Sequence, residues 1–159
     1  MPMTIPCLWF DGQAEEAAEL YTSLFPNSKI LSVTRWGPGL PGPEGSVLEV
    51  SFTLDGQEYT ALNGGPEFTF NQAISIQIMC ADQAEVDHYW NGLLAGGGQP
   101  NQCGWLNDRF GVPWQVIPTA LVELMNDADP ERVRRVTQAM LTMVKLDVAE
   151  LYRAADASS

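Results

Sequence analysis

A short segment recurs in the sequence after seventy residues, and this repeat constrains the fold more than any other feature. Gln13-Ala14-Glu15 and Gln83-Ala84-Glu85 each follow a short apolar run that ends in an aspartate. After each triplet, apolar residues recur at helical spacing, and strand-like segments follow the helix. Because self-similarity at a fixed spacing indicates a repeated structural unit, the sequence predicts two copies of one strand–helix–strands module.

The segments around the repeat predict an α+β fold in which two βαβββ modules form a cupped mixed sheet. In the first half, strands are predicted over 4–10, 29–36, 46–54 and 57–62, with the hairpin signal Asp55-Gly56 between the last two. In the second half they are predicted over 73–80, 102–106 and 112–118, with Asp108 and Arg109 in a surface turn. The modules therefore span about 4–65 and 70–118, within one domain over 1–118.

The chain changes character after residue 118, where helical patterns replace strands. A short helix is predicted over 120–125, and Asp129 followed by Pro130 is typical of a helix start. Asp147 can cap a last helix over 148–155. An apolar stripe at helical spacing could form a cofactor slot but is more often core or interface; here it comprises Val133, Met140, Met143 and Val144. We therefore expect residues 119–159 to form a helical extension packed on the same domain.

Composition and charge exclude several classes of function. Eight Lys and Arg against twenty Asp and Glu give a net charge of −12, which disfavours nucleic acid and membrane surfaces as partners. The start of the chain has neither a basic region nor a long apolar run, so we expect a cytoplasmic protein. Three cysteines without CxxC spacing and one histidine, His88, indicate neither a disulfide framework nor a Cys/His zinc site.

The segment 73–80 predicts which side chains face a ligand. Alternation places Ile74, Ile76, Ile78 and Cys80 on one face, which is expected to lie under a helix, and Ser75, Gln77 and Met79 on the other. The offset of seventy relates those last three residues to Ile5, Cys7 and Trp9. Because Trp and Cys side chains together are rare on an exposed sheet face, both strands favour a cupped sheet that encloses a pocket.

A second offset, of fifty-five residues, relates the turns at Gly56 and Gly111 and pairs Thr60 with Gln115. Trp36, beside the Gly/Pro-rich segment 37–46, and Trp105 could stack on a planar ligand. That segment is either a lid or a long hairpin connection. Cys103 is interpreted as a small buried residue rather than a nucleophile, because no base accompanies it. The predicted ligand-binding residues are Cys7, Trp9, Trp36, Thr60, Ser75, Gln77, Cys103, Trp105 and Gln115; no catalytic residue is assigned.

Three stretches of the chain resemble a known family. They are residues 8–17 (LWFDGQAEEA), 70–75 (FNQAIS) and 102–115 (QCGWLNDRFGVPWQ). The two-module pattern is similar to the vicinal oxygen chelate superfamily, which includes glyoxalase I, extradiol dioxygenases and bleomycin-resistance proteins. The stretches themselves resemble its PhnB-like branch, often labelled 3-demethylubiquinone-9 3-methyltransferase.

The resemblance implies a homodimer in which paired βαβββ modules close a cup over a small molecule. Metal-dependent members hold a metal at positions that align here with Ile5, Thr60, Ser75 and Gln115, none of which is a carboxylate or imidazole. We therefore expect no metal. The sequence also lacks the Gly-rich strand–helix turn that usually binds adenosyl cofactors, so no cofactor is expected.

Three hypotheses about function follow from these observations. The first is a metal-free protein that binds a small planar or apolar molecule. The second is an enzyme of the same fold, an isomerase, dioxygenase or transferase-like protein, with a non-standard metal or with Gln and Ser side chains as hydrogen-bond donors to an oxyanion. The third is a structural dimer with a vestigial pocket.

Overall fold

The fold is described by a computed structural model, which covers residues 2–157. The chain divides into two compact units, with the boundary between Phe70 and Asn71. Each unit contains one four-stranded sheet. No helix in the described part of the chain is both long enough and apolar enough to cross a membrane.

The first unit contains one helix on a four-stranded sheet. Its elements are β1 (Cys7–Phe10), α1 (Ala14–Leu24), β2 (Lys29–Arg35), β3 (Val47–Leu54) and β4 (Gln57–Asn63). The strand order is β1-β4-β3-β2, with β1 parallel to β4 and the other neighbours antiparallel. The segment 37–46 connects the antiparallel strands β2 and β3.

The second unit repeats this arrangement and adds three helices. Its elements are β5 (Ile76–Cys80), α2 (Gln83–Leu94), β6 (Gln99–Pro100), β7 (Trp105–Asn107), β8 (Pro113–Pro118), α3 (Thr119–Met125), α4 (Pro130–Leu141) and α5 (Val148–Asp156). The strand order β5-β8-β7-β6 is the same as in the first unit, again with the first and last strands parallel.

The strand registers confirm the predicted repeat. Cys7 lies opposite Thr60 in the first sheet, and Gln77 lies opposite Gln115 in the second. These are the positions that the offsets of seventy and fifty-five residues relate to each other. The α+β fold with two βαβββ modules and C-terminal helices is therefore confirmed.

In the first unit, α1 packs on the sheet through small residues. Ala14, Ala17 and Ala18 are fully buried, as are Val50 and Phe52 of the sheet. Short side chains let the helix approach closely, and burial of each large apolar side chain contributes about 1.5–3 kcal/mol. This face of the sheet is therefore closed.

Helix α1 begins without a capping aspartate, although Asp11 lies three residues before it. The helix begins after Gln13, whose side chain makes no capping hydrogen bond. Instead the Ala14 amide donates to Oδ1 of Asn63 at 2.9 Å, and Nδ2 of Asn63 donates to the Val47 carbonyl at 3.0 Å. A residue from the end of β4 thus satisfies a helix amide that would otherwise lack a partner.

Two predictions for the second unit are wrong. Ile74 is 73% exposed, because the strand begins only at Ile76. Before it, the Ala73 amide donates to Oδ1 of Asn71 in a turn, which keeps this segment out of the ladder. Asp108 is 3% exposed instead of lying at the surface, and its carboxylate accepts hydrogen bonds from the Val112 amide and from Nε1 of Trp114.

The helical extension has a core of its own. The predicted caps are confirmed: Asp129 accepts from the Glu131 amide, and Asp147 accepts from the Glu150 amide. The residues buried in this core are Ile117, Leu121, Leu124, Val136, Leu146, Leu151 and Ala155. Ile117 belongs to β8, so the extension packs on the sheet of the second unit. Residues 158–159 of the predicted extension lie outside the described residues.

Gly104 connects the extension to the sheet through a close backbone approach. Its amide donates to the Val144 carbonyl at 2.8 Å, and its carbonyl accepts from the Val116 amide at 2.8 Å. A Cβ at this position would lie 2.9 Å from the Val116 oxygen and 3.0 Å from Leu146, and the φ of +84° disfavours any side chain. Glycine is therefore required here by both conformation and space.

We predict that Gly104→Ala destabilises the protein more than Gly111→Ala. Gly111 has a similar φ of +90°, but no atom lies within 4 Å of the point that an alanine Cβ would occupy, so its variant carries only the conformational cost, about 1–2 kcal/mol. The Gly104 variant adds the clash with the Val116 carbonyl. Urea unfolding of both variants measures the difference. Equal losses would contradict the close approach.

A second prediction concerns Asp87, which anchors the extension to α2. The Lys145 ammonium, 2.7 Å from the carboxylate, and then the Gln83 amide hold the pKa of Asp87 below its ordinary value. A lowered carboxyl pKa contributes stability above the unfolded pKa of about 3.9, and that contribution is lost as the pH falls through the folded value.

The stability difference between wild type and Asp87→Asn should therefore be largest near neutral pH and shrink below about pH 4. Urea unfolding across the acid range measures this difference. Lys145→Gln is the matched control, because removing the partner charge should abolish most of the same pH dependence. A difference that is constant with pH would contradict the assignment.

Candidate functional site

The open face of the second sheet carries three of the predicted site residues. Gln115 of β8 lies opposite Gln77 of β5 and opposite Trp105 of β7. Residues in register on neighbouring strands point to the same side of a sheet. The alternate residues Ile78 and Trp114 are buried on the other face, so the two glutamines and the indole lie together on the open face.

A cavity of about 420 Å³ lies on this face. It is lined by residues from the sheet, from the loop before β7, from α3 with the residue that follows it, and from α4: Gln77, Cys103, Trp105, Gln115, Ile117, Leu121, Val122, Met125, Asn126 and Met140. Four of the nine predicted ligand-binding residues therefore share one cavity. Its volume falls within the range of about 300–1,000 Å³ that is usual for small-molecule sites.

The polar side chains of this face form a short hydrogen-bonded series. Nε2 of Gln115 donates to Oγ of Ser75 at 2.7 Å, and Nε2 of Gln77 donates to Oε1 of Gln115 at 3.4 Å. Ser75, a fifth predicted residue, thus holds the Gln115 amide in place. The Gln77 bond is long for an N–H···O contact, so Gln77 is the amide best able to exchange this partner for a ligand.

Cys103, predicted to be buried, is only half-buried, and it is positioned by its backbone. It has a φ of +60°, and its amide donates to the Met143 carbonyl at 2.9 Å. The other nine residues that line the cavity include neither a base nor a cation. A thiol needs such a neighbour to become a strong nucleophile, so the surroundings of Cys103 favour packing against a ligand over covalent chemistry.

The first unit holds the other four predicted residues. Cys7 and Thr60 lie in register on the open face of its sheet. On the same face, Nε1 of Trp9 donates to the Gly65 carbonyl at 2.9 Å, and the ring meets Phe68 edge-on with centroids 5.0 Å apart. The Trp9 ring is thus held by contacts within its own unit. The ligand-binding roles of these residues stay predictions.

Trp36 lies in a different cavity, of about 540 Å³, within the first unit. The residues that line it are Asp11, Gly12, Glu15, Glu16, Trp36, Pro43, Ser46, Val47, Asn63 and Gly65. The Trp36 ring packs against Gly42, where a Cβ would lie only 2.1 Å from Nε1. Three carboxylates in the lining distinguish this cavity from the neutral one in the second unit.

Sequence reasoning missed the helical side of the neutral cavity. Leu121, Val122, Met125 and Met140 line it. Of these four, the sequence indicates only Met140 as part of a possible slot, and core or interface is the favoured interpretation for that residue. The apolar pattern of a helix is the same for a core and for a cavity wall. The spacing correctly predicted a helix, but nothing in the sequence distinguishes a helix face that packs in a core from one that lines a cavity.

The four residues that the family resemblance aligns with metal positions do not fit a divalent ion. Ile5 has no donor atom, Thr60 offers a hydroxyl, and Ser75 and Gln115 are hydrogen-bonded to each other. Divalent ions in proteins are usually held by carboxylates, imidazoles or thiolates. Among residues 2–157, no three or more His, Cys, Asp or Glu side chains form a group able to hold a metal ion.

The sequence and the fold are similar to those of several known proteins. The profile of a family described as 3-demethylubiquinone-9 3-methyltransferase matches residues 2–117. A PhnB protein from Bacillus cereus is 36% identical in sequence; the match covers 74% of this chain and 99% of that protein, with a TM-score of 0.68. Protein PA1353 from Pseudomonas aeruginosa is 21% identical over 74% of this chain and 98% of its own, with a TM-score of 0.62, a likeness of fold alone.

A glyoxalase/bleomycin resistance protein from Albidiferax ferrireducens is more distant. It is 13% identical and covers 73% of this chain and 97% of its own, with a TM-score of 0.48. No curated protein matches the sequence significantly.

Cys7 and Cys80 should differ in reactivity in the folded protein. Cys80 is fully buried, and burial, followed by the charges of Glu85 and Asp82, raises the pKa of its thiol to about 12. Since the thiolate is the reactive form, we expect a thiol reagent at mildly alkaline pH to modify exposed Cys7 readily and Cys80 only after unfolding. Peptide mapping after timed labelling, with and without guanidinium, measures this. Equal labelling rates for Cys7 and Cys80 in the folded protein would contradict the burial.

Proposed function

Since the chain belongs to the 3-demethylubiquinone-9 3-methyltransferase family, the PhnB-like branch of the vicinal oxygen chelate superfamily, we propose that it binds a small, flat, largely apolar molecule without the help of a metal. The observation that carries this proposal is the cavity on the open face of the second sheet, where Gln77, Cys103, Trp105 and Gln115 meet. A fold shared with enzymes does not itself imply catalysis. The proposal rests on the chemistry of this cavity.

The cavity offers three kinds of interaction to such a molecule. The Trp105 ring provides a flat apolar surface, on which planar rings stack in offset or edge-on arrangements worth about 0.5–1.5 kcal/mol beyond area burial. The Gln77 amide can donate to and accept from a carbonyl or hydroxyl of the ligand. The aliphatic and thioether side chains of α3 and α4 remove apolar surface from water.

Binding without a metal follows from the donor set. Hydroxyls and amides compensate poorly for the cost of dehydrating a divalent ion, and here two of them are already paired with each other. The same groups can form hydrogen bonds to an uncharged oxygen of a ligand, because the desolvation of a neutral polar group costs far less free energy than the desolvation of an ion. The residues at these positions thus suit a ligand and not an ion.

The family name refers to methyl transfer, but the residues present do not favour an adenosyl cofactor. The turn between β1 and α1 contains the single glycine Gly12, and the turn between β5 and α2 contains none. Neither turn has the Gly-rich sequence at a helix start that usually binds such cofactors. We therefore propose binding or carrying of the ligand rather than methylation.

Two further parts of the proposal concern the assembly and the compartment. We propose a homodimer located in the cytoplasm; Cys7, Trp9, Trp36 and Thr60 remain predicted ligand-binding residues of the first unit. The family resemblance supports the dimer. The net charge of −12 supports a protein that binds neither nucleic acid nor an anionic membrane surface.

A thermal-shift screen with planar aromatic alcohols and quinones tests the binding. A ligand at one hundred times its Kd adds about 2.7 kcal/mol to the stability of the folded state, equivalent to a rise in Tm of about 5–10 °C for a chain of this size. Gln77→Leu should reduce the shift strongly, because it removes the exchangeable amide. The control is Gln57→Leu, the same change at an exposed strand position of the first unit; it should leave the shift unchanged.

Three outcomes would contradict the proposal. The first is no shift for any compound, which would favour a structural protein with a vestigial pocket. The second is an equal response of Gln77→Leu and Gln57→Leu, which would place the ligand elsewhere. The third is stoichiometric zinc, nickel, manganese or iron in protein purified without chelator, which would overturn binding without a metal.

A further inference from the structure

The C-terminal extension lies outside the part of the chain that its relatives share. The family profile ends at residue 117, and the Bacillus cereus protein is matched over 99% of its own length by only 74% of this chain. Helices α3, α4 and α5 all begin after that point. Four residues of α3 and α4 nevertheless line the cavity, together with Asn126 directly after α3.

From this we infer that the extension determines which ligands the cavity accepts, and that it selects neutral, flat molecules over anions of the same shape. The inference rests on the proposed function, because it requires that the cavity binds a ligand at all. It deepens that function by assigning selectivity to residues of α3 and α4, chiefly Val122, Met125 and Met140.

The extension is a fixed wall of the cavity. The segment after α4 is joined to the loop before β7 by two backbone hydrogen bonds, from the Cys103 amide to the Met143 carbonyl and from the Gly104 amide to the Val144 carbonyl. Its opposite end is held by Gln83 of α2, which donates to the Leu146 carbonyl at 3.1 Å and accepts from the Val148 amide at 2.8 Å. These contacts, with the apolar core beneath them, keep the helical side of the cavity in one position.

The chemistry of the wall excludes charge. Leu121, Val122, Met125 and Met140 are all apolar, and none of the ten residues around the cavity carries a charge. An anion placed there would lose part of its hydration and would meet amide N–H groups but no positive charge, and burying a charge without an opposite charge costs far more than burying a neutral group. The preference for neutral ligands thus comes from the unfavourable binding free energy of an anion rather than from stronger binding of the neutral molecule.

The thioethers favour flat rings in particular. Methionine side chains are flexible and polarisable, and their sulfur atoms make favourable contacts with aromatic rings. Met125 is also oriented from outside, since Oγ1 of Thr137 lies 3.4 Å from its sulfur. On the sheet side, Trp105 presents a ring, and Gln77 presents the one amide that can readily exchange its partner for a ligand oxygen. The cavity thus fits an aromatic molecule with a single neutral hydrogen-bonding group.

Calorimetric titration with 2-naphthol and 2-naphthoate tests this inference, because the two probes share one ring system and differ at neutral pH in charge. Wild-type protein should bind 2-naphthol at least about tenfold more tightly. Val122→Lys places a cation at a residue that lines the cavity and is already 42% exposed, so the fold tolerates it. This variant should lower the preference for 2-naphthol by about tenfold or reverse it.

Leu141→Lys is the matched control. It adds the same charge to the same extension at a residue that is 59% exposed and does not line the cavity, so the preference should stay within about twofold of wild type. Equal binding of both probes by wild type, or equal effects of the two lysine variants, would overturn the inference while leaving the proposed function intact. Binding of neither 2-naphthol nor any compound of the thermal-shift panel would instead overturn the proposed function.

Discussion

The rest of the structure depends on the parallel pairing of the first and last strands of each module. In a parallel pair, residues in register point to the same side, so Gln77 and Gln115 must share a face once β5 and β8 are aligned. The next residues along, Ile78 and Val116, must then face α2. One register therefore creates both a closed apolar face and an open face that is free to bind a ligand. A shift by one residue would exchange these faces.

This constraint explains why the repeat is such an informative part of the sequence. Offsets of seventy and fifty-five residues relate Cys7 to Gln77 and Thr60 to Gln115 without any knowledge of strand pairing, and the registers confirm both relations. The helix caps at Asp129 and Asp147 were predictable for a local reason: a cap acts within three residues of the chain. Features set by alternation or by near neighbours were therefore accessible from sequence.

The wrong predictions concern features that are set neither by alternation nor by a helix cap. Ile74 continued the alternation of its strand, but the Asn71 turn removes it from the ladder. Asp108 was expected at the surface because it is charged and lies in a turn, whereas the Trp114 indole and two backbone amides satisfy its carboxylate inside the fold. The short strand β6 was missed because two residues, one of them Pro100, carry no periodicity. In each case a contact distant in space or a single turn outweighed a regular pattern.

The sequence by itself determined the repeated module, the α+β class, the polar character of one sheet face and the absence of metal-binding side chains at the four family positions. Those properties depend on residue type and spacing, which the sequence gives directly. Only the tertiary structure decided that α3 and α4 of the helical extension lie beside the open face of the second sheet and form one wall of an uncharged cavity there. That outcome depends on where α3 and α4 pack. Because the hydrophobic effect is non-directional, the spacing of apolar residues on a helix does not indicate which apolar surface the helix contacts.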